Sequence, residues 1–520
     1  MIVAVRKRQA DARETEVAPS QWTGRGNARC PGRVPVDRTG LSEAIVRELG
    51  ERFVSELRQV GPELVAADLD GIEQRLQEVS RRVLGRVVEA VVTTIAAGQP
   101  VERPSCGGCQ QTMRTVDPAR PRALQGLVGE YRVRRAYVVC DRCGHGVAPL
   151  DERLGLGPGA LSPGLARVAC RVGIEVGFGS AVDLLQETLR VDVAPESVRR
   201  VTEGIGAVAE AEQQAAITLA QAGQAPAPDP GEATPTALVV EVDGVHVHAG
   251  GDWHEMKVGL VAPLGPATRT VKETGRVALT LGRQSACAGF ETAALFWYRV
   301  YVAACQRGLG GSAVALVVVL GDGAGWIWSY AWQFLGRRGV EVVEIVDIFH
   351  AWGHLWTVAN AVFGTGTARA SAWVEPLKRD LLDTGPAPIL AALAALTPAA
   401  SDPDVGADLD ADAAEEVRKA LGYFTDHAAR MEYPRFVARQ LPIGSGAIES
   451  TCKTLIQARE KQAGMRWSHD GAQVVASLRA LHRSGRWDRF WQSHPQRRRP
   501  PSVPRPPDSL SAPPPDTRAA

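Results

Sequence analysis

Between Ala237 and Phe363 the chain turns into a succession of short apolar runs separated by amphipathic stretches, and this alternation limits the folds open to it more than any other feature. Ala237–Asp243 reads as a first strand, His254–Ala262 as a second, and Arg269–Leu281 contains a third. Glu291–Arg307 has helical spacing, Val314–Leu320 is a buried-strand run, Trp326–Leu335 a helix, Glu341–Val346 a fifth strand, and Phe349–Phe363 a helix behind it. Three strands able to run as a meander, followed by helix, strand, helix, strand, helix, predict an α+β domain with one central sheet. Acidic residues stand at its strand ends. Asp243 ends the first run, Asp322 follows the fourth through Gly321, and Glu449 lies in Ser445–Ser450, which opens an amphipathic, basic helix.

That element order is the order of the ribonuclease-H-like fold, in which the first and fourth strands are neighbours, so Asp243 and Asp322 can face one another. Gathered carboxylates repel unless a cation neutralises them. Oxygen donors suit hard Mg²⁺ or Mn²⁺, and a pair of such ions about 4 Å apart would assist attack on a phosphodiester and stabilise its leaving oxygen. Each acid also has a plain structural use: Asp243-Gly244 and Asp322-Gly323 suit turns, and Glu449 suits the first turn of a helix. Their joint placement favours one metal site.

The chain has 520 residues, 22% of them charged and 45% hydrophobic, enough for several domains with a sizeable core. Its net charge of +1 conceals an asymmetry: residues 451–499 hold 11 Lys/Arg against 3 Asp/Glu, whereas residues 365–440 hold 8 against 12. The basic part points to a polyanionic partner. No apolar run approaches the roughly 18 residues needed to span a bilayer, and the first residues lack the apolar core of a signal peptide, so a cytoplasmic location is expected.

Residues 1–40 are rich in Arg, Gly and Pro without periodicity and are expected to be disordered. Residues 41–98 show helical spacing through Ile45, Leu49, Phe53, Leu57, Ile72, Leu76, Val79 and Val83. Within residues 99–150, Cys106-Gly-Gly-Cys109 and Cys140-Asp-Arg-Cys143 are separated by thirty residues that include the alternating run Glu130–Val139. Two closed Cys-x-x-Cys pairs flanking strand-like sequence predict a zinc ribbon, with four thiolates completing one tetrahedral site. Residues 160–220 read as helical, with the outline of a helix-turn-helix over 180–202, and the Ala/Pro/Gly-rich 221–236 as a linker.

The combination of Asp243-Gly-Val-His-Val, Gly321-Asp-Gly-Ala-Gly-Trp-Ile-Trp328, Val346-Asp-Ile-Phe-His-Ala351, Ile443-Gly-Ser-Gly-Ala-Ile-Glu-Ser450 and Gly464-Met-Arg-Trp-Ser468 resembles the bacterial insertion-sequence transposases of the ISKra type, relatives of the Mutator-like transposases. The resemblance spans approximately Cys106–Trp491. It implies a DDE transposase: Asp243, Asp322 and Glu449 would hold catalytic Mg²⁺ or Mn²⁺, cleave at transposon ends and join the freed 3′-hydroxyls to target DNA. Asp347-Ile-Phe-His350 matches the Cys/Asp-x-x-His element of Mutator-like enzymes, in its Asp form. Asp347 and His350 either stand near the scissile phosphate or hold their helix in place. Such a protein works on double-stranded DNA, as a homo-oligomer, and needs no membrane.

The core reads as two parts, 237–364 and 441–492, divided by an all-helical insertion at 365–440 with an exposed acidic loop. Lys453, Arg459, Lys461 and Arg466 are candidate phosphate contacts. Trp467, Trp487 and Trp491 suit base stacking or, more commonly, core packing. The Pro-rich basic tail at 493–520 is expected to be disordered. A chain of this kind that bound ends without cutting them would be a catalytically inactive, transposase-derived DNA-binding protein.

Overall fold

The computed structural model describes residues 43–97, 103–231, 234–271, 276–397 and 409–493. The segments 1–40 and 493–520, expected to be disordered, lie outside them apart from Ser493, which belongs to a helix, and so do residues 398–408 of the insertion, where its acidic loop begins. Among the described residues no helix is long and apolar enough to cross a membrane.

Two helices, α1 (Glu43–Ala66) and α2 (Leu69–Ala97), form a hairpin that packs on a small sheet of β1 (Arg114–Gly126), β2 (Gly129–Val139) and β3 (Gly146–Val147). The approach is close because glycines face it: a Cβ on Gly85 would sit 2.4 Å from the Glu130 carbonyl oxygen, and one on Gly129 would sit 2.2 Å from that of Arg81. Next come α3 (Pro149–Arg153), α4 (Pro163–Gly173), α5 (Phe178–Leu189) and the 27-residue α6 (Pro195–Gln221). Leu165, Ala169, Ala181, Leu185, Val191, Val193 and Val198 bind α4, α5 and α6 into one buried cluster.

The larger sheet is mixed, so the protein is α+β. It is built from β4 (Ala237–Ala249), β5 (Asp252–Val271), β6 (Arg276–Leu281), β7 (Ser285–Gly289), β8 (Leu316–Gly321) and β9 (Glu341–Val346). The spatial order is β6-β5-β4-β8-β9, with β7 also pairing β5. β4 is antiparallel to β5 and parallel to β8, which is parallel to β9. Two expectations are corrected here. Asp243 does not end its strand, because β4 continues to Ala249 and turns through Gly250 and Gly251, both at positive φ as a tight two-residue hairpin requires. The strand beside β5 in the central sheet is β7, which the sequence reading missed; β6 pairs only with the far extension of β5.

Helices α7 (Ala293–Gln306), α8 (Gly325–Leu335) and α9 (Ile348–Phe363) pack around this sheet. The insertion comprises α10 (Ala368–Asp383), α11 (Ala387–Ala395), α12 (Ala411–Asp426) and α13 (Tyr433–Ala438). Val374, Leu377, Leu381, Ile389, Phe424 and Tyr433 share one apolar core with the sheet, so the insertion is integral to the domain. The described residues close with α14 (Gly446–Thr451), a π-helical stretch Cys452–Gln457, α15 (Ala458–Glu460), α16 (His469–Arg483) and α17 (Trp487–Ser493). Segment 221–236 is not a free linker. Its Asp229 is buried and pairs with Arg307, Arg486 and Arg489 at 3.3, 2.9 and 2.6 Å.

Candidate functional site

The parallel registers set the site. Glu241 on β4 is opposite Leu320 on β8, and Gly321 is opposite Val346 on β9. Carried past the last paired residues, those registers bring Asp243, Asp322 and Asp347 level with one another at the carboxyl ends of β8 and β9, where open α/β sheets place their ligands. Strand alternation points Glu241, Asp243, Val245 and Val247 to one face. There Val245 and Val247 pack with Ile448, Cys452, Leu455 and Ile456 of the helix that carries Glu449.

Local bonds hold each acid. Gly244 N–H donates to Asp243 Oδ1 at 2.7 Å and the Cys452 thiol donates to Oδ2 at 3.6 Å. Ala324 N–H donates to Asp322 Oδ1 at 2.9 Å, and the Tyr423 hydroxyl donates to the Asp322 carbonyl at 2.9 Å. Gly323 makes that contact geometrically possible: its φ is +108°, and a Cβ there would lie 2.5 Å from the Tyr423 ring. Asp347, fully buried, caps α9 through the Phe349 N–H at 3.1 Å and accepts from Ser445 Oγ at 2.7 Å. His350 Nε2 lies 3.9 Å from Asp347 Oδ2, and Lys453 Nζ lies 3.4 Å from Glu449 Oε2.

Single ligand atoms from Asp347, His350 and Glu449 all fall within 4.8 Å of one another. The structure therefore brings Glu449 together with the two residues expected to be accessory. Asp243 and Asp322 stand outside that trio, with carboxylate oxygens engaged by their own loops and by Cys452. Oxygen donors with one imidazole suit a divalent cation such as Mg²⁺ or Mn²⁺.

The electrostatics are those of crowded, partly dehydrated acids. Burial, and after it the nearby Asp322 charge, raises the Asp243 carboxyl above its usual range, against the Gly244 N–H. Glu241, 2% exposed, is pushed up to about 7 by burial, with Asp347 and Glu449 adding to the effect, although it accepts the Ile448 N–H at 2.7 Å. That bond serves α14 in place of Ser445, whose side chain does not cap the helix. The sequence reading missed Glu241, Tyr423, Ser445 and Cys452. The one available signal was a glutamate inside an otherwise apolar run, two residues before Asp243 and hence on the same face.

The helix after Glu449 departs from α geometry over Cys452–Gln457. Such π-turns recur at functional sites. Here the buried Arg479 donates to the Leu455 and Thr454 carbonyls at 2.6 and 2.5 Å. Among the expected DNA contacts, Lys453, Lys461 and Arg466 are exposed, with the Lys461 ammonium 5.6 Å from the Trp253 ring centre. Arg459 is a correction. It is 1% exposed, donates to the Gly173 carbonyl at 2.9 Å, and its guanidinium lies 4.6 Å from the Phe178 ring centre and 4.8 Å from that of Trp467. It cannot reach a phosphate, because stacking between two rings is its packing role. Trp487 and Trp491 are buried core residues.

The second candidate centre is the Cys106, Cys109, Cys140 and Cys143 group, whose Sγ atoms all lie within 4.8 Å. Two matching knuckles build it. Cys106 N–H donates to the Gln111 carbonyl and Gln110 N–H to that of Cys106; Cys140 N–H donates to His145 and Gly144 N–H to Cys140. Sγ separations of 3.4, 3.4 and 3.8 Å compare with about 3.8 Å for a tetrahedral edge at a Zn–S distance of about 2.3 Å. Backbone N–H groups of Gly108 and Cys109 pull the Cys106 thiol down to about 6 and that of Cys143 lowers Cys140, whereas the facing thiols hold Cys109 and Cys143 up against their own backbone donors, so the four sulfurs share their protons. The group can hold a structural zinc ion. No family model matches the chain, and no curated protein matches it either.

Proposed function

We propose that the protein is a metal-dependent DNA strand-transfer enzyme, a DDE transposase like those of the ISKra type. The reading rests above all on one observation: the strand registers bring Asp243, Asp322 and Asp347 level with one another, and the helix bearing Glu449 packs across the same face. The sheet order, with the first strand between an antiparallel second and a parallel fourth, agrees with a ribonuclease-H-like core.

Asp243, Asp322 and Glu449, with Asp347 and His350 beside them, are the residues that would bind Mg²⁺ or Mn²⁺. When bound, such ions supply activation of a water or 3′-hydroxyl and stabilisation of the leaving oxygen. The chain's own groups do the positioning. Asp347 fixes the start of α9 and so the place of His350, whose imidazole is exposed enough to meet a substrate. Glu241 fixes the start of α14 and so the place of Glu449. Lys453, Lys461 and Arg466 would hold DNA phosphates without reading sequence, and the Cys₄ ribbon would steady the N-terminal region of a protein that acts as a homo-oligomer on its ends.

The test is cleavage and joining of labelled duplex carrying the ends of the chain's own element, in Mg²⁺, by wild type and Asp322→Asn. The wild type is expected to cut and join; the variant is expected to bind equally and do neither. Equal binding with no cutting by either protein across metals would instead identify a transposase-derived DNA-binding protein.

A further inference from the structure

Phe349 is large, apolar and 59% exposed, on the first turn of α9 immediately beside Asp347 and His350. Its ring is nonetheless fixed. It packs against Gly444, where a Cβ would come within 2.9 Å of Cε2, and meets Trp352 edge-on at 5.4 Å. Beyond it runs an open cavity of about 360 Å³ lined by Phe349, His350, Gly353, His354, Thr357 and Glu449. His350, Gly353, His354 and Thr357 fall on one helical face. A Cβ added at Gly353 would meet nothing within 4 Å, so this part of the shelf is bare backbone open to close approach.

We propose that this shelf receives an unpaired nucleobase from the DNA strand whose phosphate lies at the acid cluster. The proposal rests on the strand-cleavage reading for the identity of that strand. An exposed ring beside the His350 imidazole and the uncovered Gly353 Cα matches a planar group with polar edges, while the His354 ring is stacked on Tyr423 at 3.8 Å and the Thr357 hydroxyl donates to the Gly353 carbonyl; a protein partner would call for a continuous apolar patch. Enzymes acting on DNA commonly take a nucleotide out of the stack and hold it on an aromatic side chain. Because Glu449 and His350 belong to both the shelf and the cluster, a base stacked on Phe349 would fix the position of the adjoining phosphate.

The experiment measures binding of a single-stranded oligodeoxythymidylate containing one 2-aminopurine, in Ca²⁺, by wild type, Phe349→Ala and Phe349→Trp, with a duplex of matched length as control. Stacking quenches the probe. Wild type and Phe349→Trp are expected to quench it; Phe349→Ala is expected to lose the quenching and about 5- to 100-fold in single-strand affinity, with duplex affinity unchanged. Equal affinity and quenching in Phe349→Ala, or no quenching by the wild type, overturns the proposal. Cleavage of element ends is followed on the same preparations. Phe349-dependent quenching without cleavage would leave the shelf standing and sink the transposase reading, whereas cleavage unaffected by Phe349→Ala would sink the shelf alone.

Discussion

At the scale of single residues, the acids of this protein differ because their surroundings differ. Asp347 is fully buried yet has two partners, the Phe349 N–H and the Ser445 hydroxyl. Glu460 is 2% exposed and neither carboxyl oxygen has a hydrogen-bond partner among the described residues. Burial pushes its carboxyl up to about 8, with Arg479 and Arg459 opposing. Its folded-state value thus lies above the unfolded one, so its contribution to stability is greatest below about pH 4.5 and is lost as pH rises towards 8. Glu460→Gln is expected to flatten that fall, keeping a few kcal/mol more stability than wild type at pH 8 than at pH 5, as read from urea midpoints at the two pH values. A wild-type midpoint that does not fall across this range would contradict the assignment.

At the scale of elements, the ribbon shows what local spacing can and cannot announce. The two Cys-x-x-Cys pairs and the alternation of β2 were legible because turn geometry and strand period are local properties. β1 was not, because Pro118 and Pro121 lie inside it and proline argues against a paired strand; register shifts between Thr115 and Asp117 and between Asp117 and Arg120 accommodate the irregularity. Removing the metal should be felt across the whole element, since binding and folding are coupled in such sites. Cys140→Ser is expected to lower bound zinc measured by atomic emission and to speed amide exchange in β1 and β2, while β4 and β8 keep their protection. Unchanged zinc content would show that the four thiols do not hold it.

At the scale of the whole molecule, buried ion pairs tie distant segments to the core. Arg299 on α7 joins Glu291 to Glu210 on α6, and Asp229 gathers Arg307, Arg486 and Arg489 from two other regions. Removing one partner of a buried cluster commonly costs about 3–5 kcal/mol. Asp229→Asn is therefore expected to lower unfolding free energy by roughly that amount, measured in urea, and a loss below about 1 kcal/mol would show that the segment is not anchored by this charge.

Sequence alone determined most of the succession of elements in the larger domain, the Cys₄ spacing, and the placement of Asp243 and Asp322 at the ends of apolar runs and of Glu449 in the first turn of a helix, because period and turn chemistry are written in neighbouring residues. Only the tertiary structure decided which groups meet. It seated Arg459 between two rings instead of on a surface, made Glu241 the partner of the Ile448 amide, and closed Asp347, His350 and Glu449 into a trio. These outcomes depend on strand register and on helices that come together from more than 80 residues away, a separation across which no local pattern carries information.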